Sequence, residues 1–185
     1  MRILVTAFEP FDGADTNISR TVMDGIQEEV DKVLLPVSFR NAPIVLQQAI
    51  RDIHPDVLLM LGQCTDEEKI RLERFAVNLM DSAKGDNDGY YPREERISQG
   101  APVAYQTPFS VRTLVEKLEA QDIPVRISNS AGAYVCNRAY YEALHLGQKA
   151  IFVHIPKTMD ISTAVRTIEE LIGIITNYAI HIYFI

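Results

Sequence analysis

Short apolar runs alternate along this chain with longer stretches whose apolar side chains recur at helical spacing. Ile3 to Thr6 is a run of the first kind and reads as a buried strand. Asp12-Gly13 and then Asp15 to Asn17 signal a loop and a helix cap, and Ile18 to Glu29 reads as a helix. Lys32 to Ser38 reads as a second strand. Ala42 to Ile53 reads as a helix with Ile44, Val45 and Ala49 at compatible spacing, stopped by His54-Pro55. Val57 to Leu61 is a third apolar strand that ends at Gly62. Ile70 to Leu79 alternates, with Ile70, Leu72, Arg74 and Ala76 on one side and Arg71, Glu73, Phe75 and Val77 on the other, and predicts one strand.

The stretch from Asp81 to Arg96 is polar, carries Gly85 and Gly89, and predicts a long excursion such as a hairpin. Beyond it, Phe109 to Gln121 reads as a helix with Ser110 near its start, Val125 to Ser128 as a strand, and Tyr134 to Leu146 as a helix. Ala150 to His154 is a strand closed by Pro156, and a last helix starts from a cap at Asp160 or Ser162. Strand and helix alternate for most of the chain. That predicts an α/β fold, an open, twisted, mostly parallel sheet with helices on both faces (an α/β/α sandwich), built as a single domain over residues 1–185. Ligands of such folds bind beyond the carboxyl ends of the strands. Gly62-Gln63, Asn129 to Gly132 and His154-Ile155-Pro156 all fall on that rim.

Composition narrows the partners. A length of 185 residues is enough for one domain with a real core, and a hydrophobic share of 47% argues against disorder. The net charge of -7 argues against nucleic acid, whose phosphates an acidic surface repels. Cys64 and Cys136 are too few for a disulfide framework and suit a reducing, cytoplasmic compartment. The amino terminus meets Glu9, Pro10 and Asp12 too early for a signal peptide. The apolar end from Leu171 to Ile185 is interrupted by Asn177 and His181, and it is shorter than the ~20 residues of a membrane span. A buried terminal helix, a subunit contact and a membrane anchor are the three readings of it, in that order.

Candidate chemistry centres on Cys136, in Ser-Asn-Ser-Ala-Gly-Ala-Tyr-Val-Cys-Asn at residues 128–137. There a strand runs into a Gly-containing turn and a helix begins. A helix amino terminus stabilises a thiolate, and its free N–H groups can hold an oxyanion. Against this, a cysteine among apolar residues is commonly inert core, and Cys64 gets that reading. A thiol nucleophile needs a base. Of His54, His145, His154 and His181, only His154 ends a strand on the ligand rim; a structural histidine is the competing reading. Glu73, Asp81 and Asp86 are candidates to orient the imidazole. Glu73 lies in an apolar-rich stretch, where its carboxylate must be paired or exposed, and pairing with a neighbouring Arg is the alternative to a catalytic role. Phe8 and Phe11 are placed to sandwich a flat lactam or amide, or else to plug the core.

These residues resemble pyroglutamyl peptidase type I, also called pyrrolidone-carboxylate peptidase. Val5 to Phe11 is similar to its opening segment, and Leu35-Pro36-Val37-Ser38-Phe39 and Leu61-Gly62-Gln63 to its next landmarks. Glu73 to Asn78, Ser130-Ala131-Gly132 with Val135-Cys136-Asn137, and Phe152 to Pro156 resemble its Glu, Cys and His motifs. The likeness runs from residue 2 to about 157, with the motifs in the family's order. It implies a cysteine exopeptidase that removes an amino-terminal pyroglutamyl residue from peptides through Cys136, His154 and Glu73. It also implies substrate contacts at Phe8, Phe11, Asn17, Gln63 and Val135, no metal or cofactor, a cytoplasmic location, and a homo-oligomer, dimer or tetramer.

The departures are also specific. Ala7 and Asp12 stand where the family usually has Gly, the 64–68 loop reads Cys-Thr-Asp-Glu-Glu in place of a small, Gly-rich stretch, and Ala83 falls where Arg is common. The interval from Cys136 to His154 and the tail are shorter than usual. A related hydrolase of another small amide or lactam, and a pyroglutamyl-binding homologue with weakened catalysis, are the alternatives these changes raise.

Overall fold

A computed structural model describes residues 1–65 and 67–182 of the protein, with the backbone alone over 178–182. Strands β1 (Ile3–Phe8), β2 (Asp31–Leu35), β3 (Val57–Cys64), β4 (Ile70–Glu73), β7 (Val125–Ser128) and β8 (Ala150–Pro156) form one sheet in the order β2-β1-β3-β8-β4-β7. Its neighbours are parallel except β4 and β8, which run antiparallel. A separate antiparallel pair joins β5 (Phe75–Val77) to β6 (Ala104–Gln106). The helices are α1 (Ile18–Gly25), α2 (Asn41–Ile53), α3 (Val111–Glu119), α4 (Val135–His145) and α5 (Ile161–Ile182).

Alternation along each strand builds two cores. Ile3, Val5 and Ala7 of β1, with Val57, Leu59 and Leu61 of β3, face α1, α3 and α5. Leu4 and Phe8, with Leu58, Met60, Ala150 and Phe152, face α2 and α4. Because the central strands are buried on both faces, they read as unbroken apolar runs, and the period-2 split appears only in which layer each side chain enters. The mostly parallel sheet with helices on both faces agrees with the expectation from the sequence.

Several boundaries differ from the pattern. The expected strand from Ile70 to Leu79 is two strands broken at Arg74. There the chain leaves the main sheet: Arg74 N donates to Ser128 O, and Arg74 O accepts from Thr107 N. The break changes the side on which later residues lie, so Ala76 enters the core around α4 while Ile70 and Leu72 enter the opposite one. The first helix stops at Gly25 rather than Glu29: Ile26 turns to extended backbone with its N–H on Met23 O, and Gly25 lies against Val165 of α5, where a Cβ would come within 2.9 Å. The second strand ends at Leu35, just before Pro36, which has no N–H for a ladder. The third and last parallel strands run beyond Gly62 and His154, to Cys64 and Pro156. Residues 81–96 contain no strand pair beyond a bridge between Met80 and Glu95, so the expected hairpin is a loop, and β6 lies outside any strand the pattern predicts.

Helix starts follow the expected capping. Ser110 accepts from Thr113 N, and Asp160 accepts from Thr163 N. The apolar end is a buried helix face as far as Ile175, and among the described residues no helix is long and apolar enough to cross a membrane. The part of that end at residues 183–185, the His181 side chain and Asp66 of the 64–68 loop lie outside the described residues.

One side chain ties the small sheet to α4. Asn137 is fully buried; its Nδ2 donates to Val77 O and Leu79 O at 2.9 and 3.0 Å, and its Oδ1 accepts from Val77 N at 2.8 Å. Asn137→Ala leaves these groups unsatisfied and is expected to cost about 1–3 kcal/mol, read as a lower urea midpoint with an unchanged slope.

Candidate active site

The carboxyl ends of β3, β4, β7 and β8 meet the start of α4. Cys136 is the second residue of that helix. Tyr134 caps it in extended backbone without a side-chain bond to the helix, so the cap side chain does not occupy the first-turn N–H groups. The turn before it bends at Gly132 with φ of 83° and is held by Ser130 Oγ, which accepts from Gly132 N. From the other side, Asp81 N donates to Ala133 O and Tyr134 Oη donates to Gly85 O.

Gly62 lets the sulfur come down onto the sheet. A Cβ at Gly62 would lie 2.7 Å from the Phe152 ring and 3.2 Å from Cys136 Sγ. Gly62 and His154 are register partners on adjacent parallel strands, which run about 4.8 Å apart. Their side chains share the sheet face that carries α4. The thiol and the imidazole therefore stand over neighbouring strands on one face.

His154 is buried, and its Nδ1 lies 2.7 Å from Glu73 Oε1. Glu73 is wholly buried, and its other oxygen accepts no hydrogen bond. Arg71, two residues earlier on the same face of β4, brings Nε to 3.3 Å from the same Oε1. The carboxylate thus meets both an imidazole and an arginine. Burial lowers the His154 pKa below the usual histidine value, against the pull of Glu73, so the ring is neutral at pH 7. With Nδ1–H donated to Glu73, Nε2 carries the free lone pair. Burial, followed by the charge of Glu73, pushes the Cys136 thiol up. Both shifts favour the uncharged forms, thiol and imidazole.

The other histidines lie elsewhere. His54 caps the carboxyl end of α2 on the opposite rim with φ of 51°, and His145, in the last turn of α4, bonds the Tyr105 hydroxyl at 2.9 Å. Asp86 is a loop hub that accepts from Phe39 N, Asp88 N and Tyr90 N. The Asp81 backbone braces Ala133. Cys64 is buried at the end of β3, with its thiol pushed up to about 11 by burial.

The expected substrate contacts are distributed over two depths. Phe11 lines an open cleft of about 300 Å³ with Asp12, Ala83, Lys84, Ala133 and Tyr134, just before Cys136 in the chain. Phe8 is buried below, with its ring 6.4 Å from that of Phe152. Asn17 is buried as the cap of α1: it accepts from Ser19 N and donates to Glu9 O, which fixes the loop that carries Phe11. Gln63 Oε1 accepts from Ile18 N, and the Val135 side chain is buried at the start of α4. Asp12 has φ of 56°, a backbone that favours glycine, and its carboxylate pairs with Lys84 Nζ at 2.5 Å across the cleft. Both partners of that pair are exposed, so it adds little stability. Sequence reasoning assigned Asn137 no role beyond its place in the Cys136 motif and did not say which neighbouring Arg meets Glu73, although the alternation had already put Arg71 on its side.

An open α/β sheet with a thiol at a helix start, an imidazole at a strand end and a buried carboxylate behind it has the parts of a cysteine hydrolase. The family model for pyroglutamyl peptidase matches residues 1–168. The pyrrolidone-carboxylate peptidase of Thermococcus kodakarensis is 39% identical over 167 residues, covering 84% of this chain and 81% of that protein. That of Thermococcus onnurineus is 36% identical over 194 residues, covering 93% and 97%. Among solved structures, the pyrrolidone carboxyl peptidase of Thermococcus litoralis has a TM-score of 0.90 at 30% identity and covers 96% of this chain and 94% of that one. The enzyme from Fervidobacterium islandicum has a TM-score of 0.91 at 30% identity, with coverage of 96% and 99%. This chain belongs to the pyroglutamyl peptidase family.

Two measurements probe the site directly. Gly62→Ala forces a Cβ into the Phe152 ring and is expected to cost about 1–3 kcal/mol by overpacking, measured by urea denaturation. Because the thiol is raised above its ordinary value of 9.0, its alkylation by iodoacetamide is expected to accelerate still between pH 8 and 9.5. A plateau near pH 7 would instead reveal a preformed thiolate.

Proposed function

We propose that this chain removes an amino-terminal pyroglutamyl residue from peptides by acyl transfer, with Cys136 as nucleophile, His154 as acid–base and Glu73 as the group that orients the imidazole. The observation that carries the reading is the 2.7 Å contact between His154 Nδ1 and Glu73 Oε1, with Cys136 over the neighbouring strand. That contact holds the ring as the tautomer with a free Nε2, which can accept the thiol proton as sulfur attacks the pyroglutamyl carbonyl. The oxyanion that forms faces the first-turn N–H groups of α4. Collapse breaks the C–N bond, and the imidazolium returns its proton to the leaving amine. Water, deprotonated by His154, then attacks the thioester and releases pyroglutamate and the free thiol.

Phe11 and Tyr134 offer apolar walls for the flat ring, and Phe8, Asn17, Gln63 and Val135 support those walls and the strand end below them. Discrimination falls to the polar edge of the lactam, because a site built to pair its N–H and C=O rejects a ring that lacks either. We also assign the protein to the cytoplasm, as two unpaired cysteines suit a reducing compartment, and to a homo-oligomer, dimer or tetramer, on the family resemblance; sedimentation velocity reads the latter.

Release of a coumarin from its pyroglutamyl amide is the test. Wild type is expected to turn it over and to leave the prolyl amide intact. Cys136→Ala should reduce kcat by about 10³-fold or more, and Glu73→Gln by about 10²–10⁴-fold through the wrong tautomer. Release by Cys136→Ala at the wild-type rate would sink the assignment, and equal hydrolysis of the prolyl amide would point to a different small-ring hydrolase.

A further inference from the structure

The antiparallel pairing of β4 with β8 puts Arg71 directly opposite His154 and Glu73 opposite Phe152. Arg71 and Glu73, two residues apart, project onto the same face, so guanidinium, carboxylate and imidazole converge. They converge on one atom. Glu73 Oε1 meets His154 Nδ1 at 2.7 Å and Arg71 Nε at 3.3 Å, while Glu73 Oε2 is buried without a donor and Arg71 Nε makes no aligned hydrogen bond. The contact between Arg71 and Glu73 is therefore one of charge. A wholly buried carboxylate needs such a charge, and a neutral imidazole supplies only a dipole.

Arg71 is itself held from outside. Its Nη1 lies 3.4 Å from Glu67 Oε1, and Glu67 also pairs with Arg126 of β7 through Nη2 and, at 3.3 Å, through Nε. Charges alternate from Arg126 through Glu67, Arg71 and Glu73 to the imidazole. Glu67 belongs to the loop whose composition departs from the family pattern.

We propose that Arg71 is a positioning residue for the reaction: anchored by Glu67, it holds the shared oxygen of Glu73 on the imidazole of His154. The proposal rests on His154 and Glu73 acting as proposed above. Its consequence follows from the sign of each charge. The charged groups that act on the imidazole are Arg71 and Glu73 of β4; Cys136 and Tyr140 of α4 and Cys64 at the end of β3 are the titratable groups near Glu73, with Glu67 and Arg126 farther out. The positive charge of Arg71 opposes formation of the imidazolium, in keeping with the direction in which the ring is shifted. Removing it favours the imidazolium, so the ring titrates at higher pH and is neutral over a narrower range. Removing the negative charge of Glu67 leaves Arg71 less compensated and moves the ring the other way.

The test is the His154 midpoint in Arg71→Gln, Glu67→Gln and Arg71→Lys, read by imidazole NMR titration and by the acid limb of kcat/KM for the pyroglutamyl amide. Arg71→Gln is expected to raise the midpoint by about half to one pH unit and to lower kcat about tenfold with little change in KM. Glu67→Gln should lower the midpoint, and Arg71→Lys, which keeps the charge, should stay near wild type. Shifts of opposite sign in the two Gln variants support the proposal. Unmoved midpoints, or shifts of the same sign, overturn it. Absence of turnover in wild type would fail the peptidase reading alone, because the NMR midpoints are read without substrate.

Discussion

A carboxylate with no exposure, set behind a histidine, is the constraint around which this site is built. A carboxylate with no access to water needs polar partners, and those of Glu73 come from two directions. His154 arrives from the neighbouring strand and Arg71 from two residues up its own strand. Both depend on β4 running against β8. The reversal sets Glu73 opposite Phe152, so the carboxylate reaches diagonally to the imidazole at 2.7 Å, and it sets Arg71 opposite His154 itself. A one-residue slip in that short ladder would turn Glu73 into the other core, among Ile70 and Leu72, away from His154.

The same economy governs the thiol. Cys136 reaches the sheet because residue 62 has no side chain, and the room it leaves is shared with the Phe152 ring. Phe152 also packs against Phe8, Tyr140 and the His154 ring, so one aromatic side chain touches the floor below the cleft, the body of α4 and the imidazole. Tyr140 in turn donates its hydroxyl to Glu73 O. The thiol and imidazole are positioned by packed side chains and backbone bonds rather than by a mobile loop, which suits chemistry that tolerates little misplacement.

Much of this was legible in the chain. The alternation of short apolar runs with helical stretches determined the parallel sheet, and strand ends determined the rim, so His154 and the turn before Cys136 stood on it before any coordinates. Glu73 was legible only as a dilemma, catalytic carboxylate or arginine partner, since periodicity cannot reveal that both partners share one oxygen. What stayed illegible had long-range causes. The break at Arg74 depends on bonds to Ser128 and Thr107, far along the chain, and nothing local marks it. Strand β6 is too short and too half-buried to show a period, and Asn137 reads as one polar residue in a helix until Val77 and Leu79 come to meet it.

The departures from the family pattern acquire a physical meaning when the two sides of the site are compared. Asp12 and Lys84 meet at the open mouth of the cleft, where both are in water and their charges are screened. Glu67 acts on the closed side, where Arg71 is 21% exposed and Glu73 not at all, so its charge is felt through protein rather than solvent. Equal changes of charge therefore carry unequal weight. The altered mouth borders the open cleft, while Glu67 of the altered loop reaches Glu73 and, through it, the His154 ring by way of Arg71. A charge on a loop is in this way linked, through two ion pairs, to the carboxylate that holds the His154 ring.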